Sequence, residues 1–121
     1  MADVARLSIN TATLHRLTLR EAIEACARAG IAGIAPWRDR LQECGVAEAR
    51  RLLRTHGLRV SGLCRGGMFT SAGWLDDNRR AVDEAAEIGA ECLVLVVGGL
   101  AAGSKNIADA RRQVRDGIAA L

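Results

Sequence analysis

The chain has 121 residues and a mass of 12.8 kDa, the length of one ordinary domain, and its 50% hydrophobic content supports a core and excludes a disordered chain. Aromatics make up only 2%, with no Tyr and one Phe, so that core has to be built from Ala, Val, Leu and Ile, the composition of helix-covered parallel sheets. The net charge of +3, from 17 basic and 14 acidic residues, comes with no basic stripe, interleaved aromatics or recognisable module, so no nucleic-acid partner is expected.

In chain order, a short apolar strand, a polar turn and an amphipathic helix closed by glycine recur four times, about 30 residues apart, as in consecutive βαβ units. Strands are predicted over residues 5–9, 31–35, 59–63 and 92–97. The first helix, "TLREAIEACARAG", opens with Thr18 and Glu21 at capping-box spacing and closes on Gly30, with Leu19, Ile23, Cys26 and Ala27 on one face. The second, "GVAEARRLLRTHG", carries the stripe Val46, Ala49, Leu52 and Leu53 and ends at Gly57. The third spans residues 74–88 with Leu75, Val82, Ala85 and Ile88 aligned, and stops at Gly89. The fourth, "NIADARRQVRDGIAAL", takes Asn106 as N-cap and aligns Ile107, Ala110, Val114 and Ile118.

No linker divides this pattern and Pro36 is the only proline, so a single domain is expected. Four βα units fit two architectures: a small doubly wound sheet, or the first half of an eight-stranded barrel. The four cysteines lack C-x-x-C spacing and no histidines cluster, which argues against a tetrahedral zinc site and for a reducing, cytoplasmic setting. The opening "MADVARLSIN" has no apolar signal region, and the longest apolar run, 92–97, is far shorter than the ~20 residues that span a bilayer, so no membrane association is expected.

Parallel α/β proteins carry function at the C-terminal ends of their strands. After the first strand come Asn10, Thr11, Ala12 and Thr13, small polar groups suited to a ligand hydroxyl and equally to a turn. "APWRDR" follows the second: Trp37 offers a flat apolar wall and Arg38 a fork for an anion. The third ends in "LCRGGMF", where Cys64 is a small pocket-lining group without a partner base. The fourth runs into "GGLAAGSK", whose Gly98 and Gly103 have P-loop spacing but whose Ser104 precedes Lys105, the reverse of the order a phosphate-binding loop requires. His15 lies in a loop at the functional end, and His56 in the last turn of a helix, where a cation suits the dipole.

The segments "LSINTATLHRLTLREAIEACARAGIAGIAPWRD", "HGLRVSGLCRGGMF", "NRRAVDEAAEIGAECLVLVVGG" and "GSKNIADARRQVRDGIAAL" closely resemble the N-terminal half of the sugar phosphate isomerase/epimerase family. That family has the xylose isomerase-like TIM barrel, related to AP endonuclease family 2. The resemblance implies an α/β fold of four consecutive parallel βα units. Residues 1–121 would then form one domain equal to the first half of a (β/α)8 barrel, ending after the fourth unit. It implies proton transfer between adjacent carbons of a sugar or polyol, assisted by a divalent metal (Mn, Mg, Co or Zn). The metal ligands and bases of the family come mainly from the second half. This chain is therefore expected to supply pocket wall through Asn10, Trp37, Cys64, Gly98 and Gly99, with Arg38 and His15 beside them, to hold no metal and to be inactive alone. Many relatives carry an acid near the end of strand two, where this chain has Ile34, Ala35, Pro36 and Trp37. Neither histidine follows strand three or four, which disfavours a tri-zinc DNA-repair site. The rival expectation is a non-catalytic module that binds a small ligand or self-associates through open sheet edges.

Overall fold

The computed structural model describes residues 4–121. A 3-10 turn, Val4–Arg6, leads into β1 (Ser8–Asn10), and a second, Thr11–Leu14, precedes α1 (Leu19–Arg28). Then follow β2 (Gly33–Ala35), α2 (Arg38–Cys44), α3 (Val46–His56), β3 (Arg59–Val60), β4 (Leu63–Gly67), α4 (Trp74–Ile88), β5 (Leu93–Val96) and α5 (Ile107–Ala119).

The first helix forms where its end signals place it. Thr18 accepts a hydrogen bond from the Glu21 amide at 3.3 Å while the Glu21 carboxylate accepts one from the Thr18 amide at 2.8 Å, so both ends of the capping box are closed. At the other end Gly30 takes φ 71° and the Ile31 amide reaches back to the Cys26 carbonyl, which ends the helix and aims the chain at β2. Leu19, Ala22, Ile23 and Cys26 are buried.

All strand pairs are parallel. β1 lies beside β2 with Ile9 opposite Ile34, and β2 lies beside β3 with Ile34 opposite Val60. β4 lies beside β5 with Leu63 opposite Leu93. The single third strand expected over 59–63 is two pieces, β3 and β4, broken at Ser61 and Gly62. The break transfers the chain from one neighbour to the next: the Ser61 amide bonds the Ile34 carbonyl, whereas the Leu63 amide bonds the Cys92 carbonyl. One link crosses back, from the Cys64 amide to the Pro36 carbonyl at 3.0 Å. Spatial order therefore follows chain order, and β1 and β5 both lie at edges. A doubly wound sheet would place its first strand inside, so the arrangement is that of consecutive barrel strands.

Leu19, Ile23, Ile34, Leu41, Leu52, Leu53, Val60, Leu63 and Ile88 form the centre of the core between the sheet and helices α1–α4. Four further expectations need correction. The first strand begins at Ser8 rather than residue 5, because Val4–Arg6 turns as a 3-10 helix. The loop after β2 contains the helix α2, which buries Leu41. Val82 is exposed, and α4 buries Asn78, Ala81, Ala85 and Ile88 instead, a stripe rotated by one residue to admit a polar side chain. On α5 the aligned Ile107 and Ile118 are exposed, and only Gly117 is buried, against the Phe69 ring. No helix among the described residues is long and apolar enough to cross a membrane.

Candidate functional site

At the ends of β2 and β4 a cleft of about 380 Å³ opens between Trp37, Arg38, Asp39 and Gln42 on one side and Cys64, Arg65, Gly66 and Met68 on the other, with Asp77 from α4 at its margin. Trp37 is fixed from three directions: its amide donates to the Thr11 hydroxyl at 2.9 Å, its backbone bridges to Cys64, and its ring is half-buried. Its indole N–H is buried and has no acceptor among the described residues. Trp37 also lines a second cleft, of about 210 Å³, with Thr11, Ala12, His15, Asp39 and Arg40. Trp37 and Asp39 are thus shared by two hollows on the strand-end face.

Arg38 is 8% exposed and its guanidinium is fully engaged. Nε donates to Glu84 at 2.5 Å, and Nη1 and Nη2 grip the two Asp77 carboxylate oxygens at 3.0 and 3.1 Å. Nη1 also reaches the Arg65 carbonyl at 3.3 Å. Gln42 holds the second Glu84 oxygen at 2.9 Å. Burial works against the charge on Arg38, but Asp77 and Glu84 outweigh it and its pKa is raised. In return, the hydrogen bond from Arg38 lowers the pKa of Asp77 against the opposing effect of burial. The fork expected to meet a ligand anion meets two carboxylates of α4 instead, so Arg38 locks α2 to α4 and shapes the cleft floor. Arg65, exposed at the rim, is left as the cation that faces the opening.

Burial pushes the Cys64 thiol up, and the nearby Arg65 offsets this only in part. Cys64 therefore stays protonated at neutral pH and serves as a small wall group rather than a nucleophile.

Trp37, Arg38 and Cys64 come together in one cleft; Asn10, Gly98 and Gly99 do not line it. The Asn10 side chain accepts from the Ala12 amide at 2.9 Å, an Asx turn that starts the 3-10 segment. Gly98, at φ 88°, lies so close to Met68 that an added Cβ would sit 3.3 Å from its Cα, and the Gly99 carbonyl accepts from the Thr70 hydroxyl at 2.7 Å. These glycines seat the end of β5 on the loop after β4. The loop after β5 is no phosphate cradle, because Ser104 and Asn106 side chains already cap α5 at the Asn106 and Asp109 amides. His15 lines the smaller cleft, and His56 ends α3.

The pattern reading assigned no role to Asn78. It is completely buried, accepts from the Gly67 amide at 2.6 Å and donates to the Gly67 and Trp74 carbonyls, each at 2.7 Å. Asn78 thereby pins the end of β4, and with it the Gly66 and Met68 side of the cleft. The signal was its position on the helix, three residues before Ala81 and seven before Ala85, on the buried stripe.

The model of the xylose isomerase-like TIM barrel matches residues 23–121. The chain belongs to this family. The crystal structure of protein SMc04130 from Sinorhizobium meliloti 1021 superposes with a TM-score of 0.93 and 54% identity over 98% of this chain. The alignment takes in 46% of that protein, so the chain spans a little under half of its length. No curated protein matches the chain. Within the family frame, the observed strands are four consecutive barrel strands, and both hollows lie on the face where barrel loops gather.

Proposed function

We propose that this chain forms part of the substrate-facing wall of an isomerase or epimerase acting on a sugar, sugar phosphate or related polyol by proton transfer between adjacent carbons. The observation that carries the reading is the placement of Trp37 in the lining of two hollows on the strand-end face of a family barrel. A flat apolar ring flanked by Asp39, Gln42 and Thr11 suits a molecule with a C–H face and hydroxyl edges. In this reading Trp37 packs on the carbon skeleton, Gln42 and Asp39 orient hydroxyls, and Cys64 leaves room beside the ring. Arg65 at the rim suits an anionic end of the substrate.

The family resemblance implies a divalent metal. Among the described residues no group of three His, Cys, Asp or Glu is placed to hold one, so these side chains do not by themselves fit a metal site and no step is assigned to it. Of the titratable groups in the larger cleft, Asp77 is tied to Arg38 and Cys64 is kept protonated, so neither is assigned as the deprotonating base. The remainder of the barrel would supply both.

The test uses the S. meliloti protein and a chimera in which residues 4–121 of this chain replace its matching segment. Each is incubated with Mn²⁺ and a panel of aldoses, ketoses and their phosphates in D₂O. Both are expected to introduce solvent deuterium at the carbon beside the carbonyl of one panel member. Loss of that exchange on replacing Trp37 by Ala in the chimera, with the fold intact, would support the wall role. Absence of exchange from every substrate in both proteins would overturn the reading.

A further inference from the structure

The smaller of the two hollows has walls built by the chain itself. It forms where the loop after β1 faces the start of α2, and two hydrogen bonds brace those segments against each other. The Trp37 amide donates to the Thr11 hydroxyl at 2.9 Å, and Nη2 of Arg40 donates to the His15 carbonyl at 2.7 Å. Nη1 of Arg40 is engaged at 2.9 Å by Glu43, so the brace is anchored to α2 at both guanidinium nitrogens. A hollow held in this way exists before anything enters it, as small-molecule sites commonly do. Its volume of about 210 Å³ lies below the ~300–1,000 Å³ usual for such sites, whereas the neighbouring cleft of about 380 Å³ lies within that range. The two share Trp37 and Asp39, so the smaller hollow is an annex of the larger rather than a site of its own.

The polar groups of the annex ask for hydroxyls. Thr11 is only 3% exposed, and its hydroxyl accepts from the Trp37 amide but has no acceptor for its own hydrogen among the described residues. The buried indole N–H of Trp37 is in the same condition. Buried donors without acceptors are uncommon in folded proteins, and the oxygens of a polyol would satisfy them. Asp39 accepts from the Arg40 amide at 2.8 Å through one oxygen, and its other oxygen has no donor among the described residues. With the Arg40 guanidinium already engaged, a carboxylate here favours an uncharged guest over an anion.

We infer that the substrate consists of two polyol units joined by one linkage, such as a disaccharide, with the reacting unit in the larger cleft and an uncharged second unit in the smaller hollow. The inference rests on the proposed wall role of Trp37 and deepens it by naming the size class of the substrate. The linkage falls at Trp37 and Asp39, the residues that both hollows share. Ala12, small and exposed, leaves the room that the second unit occupies. Discrimination between one-unit and two-unit substrates then lies in the loop after β1.

The test is titration calorimetry with maltose, cellobiose and lactose beside glucose and galactose, on the chimera that carries residues 4–121 of this chain in the S. meliloti protein. At least one two-unit sugar is expected to bind about tenfold or more tightly than either of its components. Ala12→Trp fills the smaller hollow from an exposed position, so circular dichroism should match the parent while the advantage of the two-unit sugar disappears. Two-unit sugars that bind no more tightly than their components would overturn the inference without any variant, and so would a preference that survives Ala12→Trp. Deuterium exchange with one-unit sugars and no preference for two units would remove this inference and leave the proposed activity standing. A preference lost in Ala12→Trp, with no exchange from any sugar, would do the reverse.

Discussion

Asn78→Asp is nearly isosteric, and its consequences can be worked from the three hydrogen bonds of the wild-type side chain. The oxygen facing the Gly67 amide is retained, but the nitrogen that donated at 2.7 Å to both the Gly67 and Trp74 carbonyls becomes an oxygen. If ionised, the new carboxylate would confront two carbonyls at complete burial, and Arg38, on the same helix's network, is already committed to Asp77 and Glu84. The variant therefore folds with the carboxyl protonated. Keeping an Asp of ordinary pKa ~3.9 protonated at pH 7 costs about 4 kcal/mol, at 1.36 kcal/mol per unit. A further ~1 kcal/mol follows from the carbonyl that loses its donor. The pKa in the folded variant is raised above the unfolded value, so the charge penalty is absent below about pH 3.9 and grows as the pH rises. Urea denaturation followed by circular dichroism should show about 5 kcal/mol lost at pH 7. At pH 4.5 the loss should shrink to about 2 kcal/mol. A loss below about 1 kcal/mol at pH 7, or one independent of pH, would refute the argument that Asn78 is a buried, fully bonded clamp.

Two other substitutions probe the charges. Arg38→Met should remove about 2–4 kcal/mol of stability by leaving Glu84, whose side chain is 13% exposed, without its cation; Arg38→Lys should recover less than half, because an ammonium cannot grip Asp77 through two nitrogens while also holding Glu84. Thermal unfolding of the three proteins side by side checks this, and an Arg38→Met melting point within a degree or two of wild type would contradict it. Acid sensitivity should trace in part to Glu48, whose pKa is lowered to about 2, first of all by its hydrogen bond from Arg51. Its folded-state pKa is depressed, so its contribution is complete above the ordinary value of 4.5 and disappears as the pH falls toward 2. The unfolding midpoint should therefore decline across that window in wild type and more shallowly in Glu48→Gln.

Local signals carried the helices. Thr18 and Glu21 announced α1, and the span 74–88 matched α4 because Gly73 and Gly89, both at positive φ, bracket it. The third strand misled because Val60 and Leu63 read as one apolar segment, whereas the change of partner at Ser61 and Gly62 is decided by the neighbours on either side. The site was legible to the same extent. Trp37 could be placed at a strand end from its position alone, whereas Cys64, expected at one, is the second residue of β4. The fate of Arg38 could not, because its partners Asp77 and Glu84 are 39 and 46 residues away in sequence.

The two outermost elements show where sequence pattern and environment part company. On α5 the spacing of Ile107, Ala110, Val114 and Ile118 is that of a buried face, yet Gly117 makes the contact with Phe69 and the isoleucines lie open. On β5 the run from Leu93 to Val96 is continuously apolar, which in a parallel sheet signifies burial on both faces, yet Val94 and Val96 are uncovered. Interior elements of the same chain, α1 and β2, show no such discrepancy. A sequence that writes burial into the fourth unit as firmly as into the first specifies cover for it, over β5 and α5 and along the edge of β1. The strand-end hollows depend on the same cover, since Trp37 and Cys64 line space that only an added wall encloses.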